Sequence, residues 1–293
     1  MKLLLLLLSL WCTLVWSQTK YITTIYPFKI IISPLLVDSA DIAVILPPGA
    51  SPHTYEMRPS DIKKVSEAIA LFQGGQNLDV WAYKFKHPRC IELINFLPPE
   101  YLLFFDQGRY SGEDKILDPN NHRHHGVDPH FWSDPLAVKA LLPVISDTLC
   151  KLDPDYCVIY QKNYASFANA LDSLYIQIQV KLAPVRGSAV MLAQPFFRYY
   201  LNRFDIKVVD IIEPIPGKEP TPADLKKLIQ KATMYQVKAI LSHPQLSDRS
   251  AQLVSEATGI SVIELDPLGG IEGRRTYDEL LLYNTRILLE VLQ

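Results

Sequence analysis

The chain lacks an excess of charge of either sign. Its 29 Lys and Arg stand against 31 Asp and Glu, a net charge of -2 over 293 residues. Without a basic field there is nothing to concentrate DNA, RNA or anionic lipid, so nucleic acid is not an expected partner. The short catalytic signatures are missing too: H-E-x-x-H, G-x-S-x-G, G-x-G-x-x-G and the phosphate-binding P-loop do not occur. Cys90 has no flanking pattern of a nucleophile, so no motif asks for an enzyme. There is no low-complexity linker and no internal repeat.

Long apolar runs are confined to the N-terminus. In "MKLLLLLLSLWCTLVWSQ" the run ends near Trp16, short of the roughly 20 residues needed to span a bilayer. Lys2, the leucine-rich centre, Val15 and Ser17 have the layout of a secretory signal peptide covering residues 1-17. The mature protein is therefore expected in the periplasm or another extracytoplasmic space. Lipid attachment at Cys12 is a second reading, disfavoured by the bulky Trp11 before it. Three cysteines remain after the leader, an odd number for an oxidising compartment. Cys150 and Cys157 flank "KLDPDY", a helix end, turn and new helix start, which brings them within reach of a disulfide of ~6 Å between Cα atoms. Two reduced thiols are the alternative, and Cys90 stays free in either case.

With 48% hydrophobic side chains the chain is long enough for substantial cores. Strands are predicted in "YITTIYP" (21-27), "DIAVILPPG" (41-49) and "ALFQGG" (70-75), with a helix in "RPSDIKKVSEA" capped by Ser60 or a neighbour. A second series follows "PVRG", with strands at 188-194, 207-214, 237-245 and 260-270, and a helix opening at Thr221. Between the two series, residues 153-184 carry apolar positions at helical spacing, with Asp153 as cap and Pro154 in first position. One helix of about 30 residues, ~45 Å long, suits a strut between lobes. The fold class is α/β: an N-terminal lobe (18-152), a linking helix (153-184) and a C-terminal lobe (185-293), each lobe a parallel sheet flanked by helices.

Gln194, His243 and Asp266 lie at or just beyond the ends of predicted second-lobe strands, and His53 follows a first-lobe strand. Open parallel sheets bind ligands at the carboxyl ends of their strands. His53 and His130 with Asp266 would supply the mixed N/O donor set that suits Zn²⁺. "DPHFW" and "DPLGG" also read as turn and cap chemistry. Four of the seven histidines fall in "HRHHGVDPHFW" (122-132). His122, His124 and His125 read as an exposed accessory loop that captures metal weakly or not at all.

"PPGASPHTYEMRPSDI" (47-62), "DPHFWSDPLAVK" (128-139), "EPTPADLKKLI" (219-229) and "ISVIELDPLGG" (260-270) resemble, in order, the motifs of the zinc- and manganese-type solute-binding proteins of bacterial ABC importers. The resemblance implies a two-lobed periplasmic-binding-protein-like fold, its lobes joined by one rigid helix. It also implies a metal held in the cleft and delivered to a membrane permease. It puts ligands on His53, His130 and Asp266, with Asp128 and Pro129 as companions of His130. Where zinc-type members have a third histidine and manganese-type members a glutamate, this chain has Gln194. It also has His243 where the family usually has an acidic residue before "PQ". If the second lobe has strand order 2-1-3-4, Gln194, His243 and Asp266 share adjacent strand ends. The expected site is then His53, His130, His243 and Asp266, with Gln194 a weak ligand or a neighbour.

Zn²⁺ is the expected cargo, with Mn²⁺ the alternative because Gln194 and Asp266 offer oxygen. The chain is expected to act as a monomer. Two other classes stay open: an exported metallohydrolase using Glu56 or Glu264 as base, and a surface adhesin, which no residue here independently suggests.

Overall fold

The computed structural model describes residues 20-75, 78-105, 126-215 and 217-293. Residues 1-17 with Cys12, and His122, His124 and His125, lie outside the described residues. In the first lobe, strands β1 (Tyr21–Thr23), β2 (Ile42–Val44), β3 (Ala70–Gln73) and β4 (Cys90–Glu92) form a sheet of order β2-β1-β3-β4. In the second, β5 (Ala189–Leu192), β6 (Lys207–Ile211), β7 (Ala239–Ser242) and β8 (Val262–Glu264) form a sheet of order β6-β5-β7-β8. Every pairing is parallel. Both sheets thus have the 2-1-3-4 order, whose crossovers are made by helices α1 (Tyr26–Ile32), α2 (Pro59–Glu67), α5 (Arg198–Arg203), α6 (Pro222–Met234) and α7 (Arg249–Thr258).

The strands are shorter than their sequence patterns because the chain turns as soon as pairing ends. β4 escapes sequence reading altogether: it is three residues long, one of them Glu92, and gives no run to detect. The cap expected at Ser60 or a neighbour falls on its neighbours Arg58 and Asp61. Pro59 takes the first helical position of α2, and the Asp61 carboxylate accepts from the Arg58 backbone N–H at 2.8 Å. Thr221 does cap α6, its hydroxyl accepting from the Asp224 N–H.

The linking helix is shorter than expected. α4 covers Cys157–Leu182, 26 residues, between 3-10 turns at Pro154–Tyr156 and Ala183–Val185. Proline within each flanking turn denies the chain a helical hydrogen bond there. Asp153 does not cap α4 through its side chain: its carboxylate accepts instead from Lys20 Nζ and Tyr160 Oη, both at 3.3 Å. α4 packs along α3 (Pro135–Leu152), and Cys150 of α3 is bonded to Cys157 at the head of α4, with Cα atoms 4.5 Å apart.

One buried apolar cluster runs from Tyr21, Phe28 and Phe72 in the first lobe through Phe131, Leu141 and Leu171 to Val190, Phe196, Tyr200 and Leu241 in the second. The lobes therefore share a core. A smaller cluster, including Met191, Ile240 and Leu228, lies on the other face of the second sheet. Polar links cross the seam as well. Trp132 Nε1 donates to the Pro267 carbonyl at 2.8 Å, and Tyr277 Oη donates to the Trp132 carbonyl at 2.7 Å.

Replacing both Cys150 and Cys157 by serine should cost about 2 kcal/mol, the loop-closure contribution of so short a cross-linked loop. Thermal denaturation should show a Tm roughly 4-8 °C lower than that of the parent chain.

Candidate metal centre

His130 is held from behind. Asp128, two residues earlier, is fully buried, and its Oδ1 accepts both the His130 backbone N–H at 3.0 Å and the ring Nδ1 at 2.6 Å. A carboxylate can only accept, so Nδ1 carries the proton and Nε2 presents its lone pair forward. The other carboxylate oxygen is gripped by Arg198 Nη1 at 3.0 Å, from the first turn of α5 in the second lobe. Tyr199 Oη, next along α5, donates to the Asp128 carbonyl at 2.8 Å.

The lone pair of His130 meets His53. His53 sits in the turn after β2, whose Pro52 carbonyl accepts from Trp81 Nε1 at 2.8 Å. The two Nε2 atoms, one from each ring, are 3.2 Å apart. Tetrahedral zinc with bonds of about 2.05 Å spaces two ligand nitrogens about 3.3 Å apart. The pair therefore already has the separation of one edge of a zinc polyhedron. With His130 Nε2 as acceptor, His53 Nε2–H donates the hydrogen bond between the rings.

His243 follows β7 and is only 3% exposed. Its Nδ1 lies 3.1 Å from Gln245 Oε1, which leaves Nε2 as the lone-pair nitrogen, and that atom has no hydrogen-bond partner among the described residues. Burial pushes the His243 pKa down to about 3, helped by the nearby His130, so the imidazole is neutral at physiological pH. The Phe196 ring packs against both His243 and His130, with its centroid 4.2 Å from the first and 4.4 Å from the second.

Gln194 and Asp266 are occupied elsewhere. Gln194 Nε2 donates to Glu213 Oε2 at 3.2 Å and to the Ser247 carbonyl at 3.3 Å. Asp266 Oδ1 accepts the backbone N–H groups of Leu268 and Gly269, and Oδ2 lies 3.0 Å from Arg274 Nη1. Among the described residues no three His, Cys, Asp or Glu side chains are arranged to hold a metal ion. The structure thus brings His53 and His130 together, packs His243 against Phe196, and turns Gln194 and Asp266 toward other partners.

Glu213, Arg274 and Phe196 were not singled out from sequence. Glu213, buried two residues past β6, obeys the same strand-end rule as Gln194 and could have been found by it. The two glutamates considered as catalytic bases both lie at the surface. Glu56 is exposed, and so is Glu264, the last residue of β8, whereas Asp266 is buried beyond the strand. The period-two alternation that would align Glu264 with Asp266 has ended by then.

Two parallel 2-1-3-4 sheets sharing a core, with imidazoles meeting at their strand ends, define a two-lobed solute-binding protein. The sequence profile of ZnuA, described as zinc-uptake complex component A, periplasmic, matches residues 22–291, and the chain belongs to that family. Its members are transport components that bind metal. A Thermotoga maritima protein whose assignment as metal-binding is itself provisional is 26% identical over 295 residues, covering all of this chain and 99% of that one. The high-affinity zinc uptake system protein ZnuA of Brucella abortus is 24% identical over 278 residues, covering 85% of this chain and 83% of its own. A crystal structure of ZnuA superposes with a TM-score of 0.77 at 23% identity, covering 94% of this chain and 99% of the other.

Asp128→Asn should lower zinc affinity about 10- to 100-fold, as loss of a carboxylate partner does for a metal-binding histidine. Competition with a chromophoric chelator reads the change, and far-UV circular dichroism should stay that of the parent chain.

Proposed function

We propose that the protein captures Zn²⁺ between its lobes outside the cytoplasm and delivers it to the permease of an ABC importer. The observation that carries this reading is the His53–His130 pair, 3.2 Å apart at Nε2, with His130 oriented by a buried carboxylate. Imidazole nitrogens favour zinc over the harder Mg²⁺ and Ca²⁺. His53 and His130 form the first edge, His243 brings a neutral third imidazole, and Asp266 supplies negative charge once it leaves Arg274. Gln194 stays at the margin, its amide nitrogen bonded to Glu213.

Manganese is the second reading of the same site. It is favoured by the amide oxygen of Gln194 and the carboxylate of Asp266, both harder donors than imidazole. Family membership and the leader layout of residues 1-17 support export, with the leader removed and the mature chain acting as a monomer. Among the described residues no helix is long and apolar enough to cross a membrane. The shared core supports release by a small tilt or a local side-chain change, in contrast to wide lobe opening. The permease then reads a local difference between loaded and empty forms.

His53→Ala and His130→Ala should each weaken zinc binding by about 100-fold, ~2.7 kcal/mol, and His243→Ala by about 10-fold, ~1.4 kcal/mol. Isothermal titration against a competing chelator measures all three, and wild-type affinity in His243→Ala would remove His243 from the ligand set. In a competition between Zn²⁺ and Mn²⁺ the metal-free protein should retain zinc, and preferential retention of manganese would overturn the choice of ion.

A further inference from the structure

Phe196 occupies an unusual place for a core phenylalanine. It lies in the 3-10 turn Pro195–Phe197 that leads into α5, and it is fully buried. Its ring contacts three of the four described histidines, with centroid separations of 5.5 Å to His53, 4.4 Å to His130 and 4.2 Å to His243. Trp132 flanks it at 6.4 Å. The ring meets His243 edge to face, at an interplanar angle of 71°.

A hydrocarbon ring cannot hydrogen-bond the His243 Nε2 lone pair, and among the described residues no other group does so. A buried acceptor left without a donor is destabilising, so the position favours any change that supplies a partner. A cation is such a partner, and the phenyl ring packs against both this imidazole and the His53–His130 pair that would present the cation.

We propose that Phe196 is an occluding residue that sets the rate and affinity of metal capture, an inference that rests on the zinc-capture reading above. Zinc docks first on the His53–His130 edge. The phenyl ring then swings aside, and His243 Nε2 joins as the third nitrogen. Capture is therefore a fast, weak step followed by a slower tightening. No covalent bond forms or breaks, and the ring's return on metal loss resets the site.

The test is zinc association by stopped flow and zinc affinity by chelator competition for the wild type, Phe196→Ala and Phe196→Leu. Two phases are expected in the wild type. Phe196→Ala should lose the slow phase and bind at least about 10-fold more tightly, with Phe196→Leu between the two. A folded Phe196→Ala with wild-type or weaker affinity and an unchanged slow phase would overturn the proposal while leaving zinc capture standing. Failure of zinc to bind the wild type and both variants would instead overturn the zinc reading, and this inference with it. A measurement on an otherwise unaltered chain guards against misfolded variants. With 4-fluorophenylalanine placed at 196, zinc should shift the fluorine resonance strongly. A bound ion that leaves that resonance in place would contradict the swing.

Discussion

The Asp128 carboxylate is the constraint on which the site depends. It is fully buried, and a carboxylate taken out of water and left unpaired carries a penalty of several kcal/mol. Its oxygens are therefore committed: one to His130, the other to Arg198 of the second lobe. Because one group serves both, the direction of a candidate ligand in the first lobe is fixed by a side chain from the second. Arg203, one helix turn beyond, makes the same kind of link with Asp134 at 2.7 Å. α5 thus grips the segment 128-134 at both ends. His130 presents its lone pair only where the lobes are correctly seated.

This seating explains why the molecule does not resemble two bodies on a flexible hinge. The apolar core crosses the seam, and the aromatic stack of Phe28 on Phe131, 5.8 Å between centroids, lies close beneath the site. Shifting one lobe wholesale would break that core. Changes at one ring or one ion pair disturb far less of it, and Phe196 and the Arg274–Asp266 pair are the elements placed to change in this way.

Much of the fold was legible in the sequence, because parallel sheets bury both faces and leave apolar runs that alternate with helical spacing. The 2-1-3-4 order expected for the second lobe is present there, and the first lobe repeats it. The strand-end rule reached His53, Gln194, His243 and Asp266. Their present partners were beyond it. Arg274 beside Asp266, and Glu213 beside Gln194, depend on which loops the tertiary fold brings together. Phe196 was hidden for another reason: inside "QPFFRYY" an aromatic residue reads as core. It is core, and only its three imidazole neighbours make it more than that. The cap of α2 was legible only to within a residue or two, because Asp61 reaches back to the Arg58 N–H, a choice between neighbouring polar residues that spacing does not resolve.

The central claim, that zinc is held on the His53–His130 edge between the lobes, is tested most directly by X-ray absorption at the zinc edge on the stoichiometrically loaded protein. The account predicts an inner shell with at least two imidazoles at about 2.0-2.1 Å, completed by nitrogen or oxygen. An all-oxygen shell, or one with a single imidazole, would contradict it.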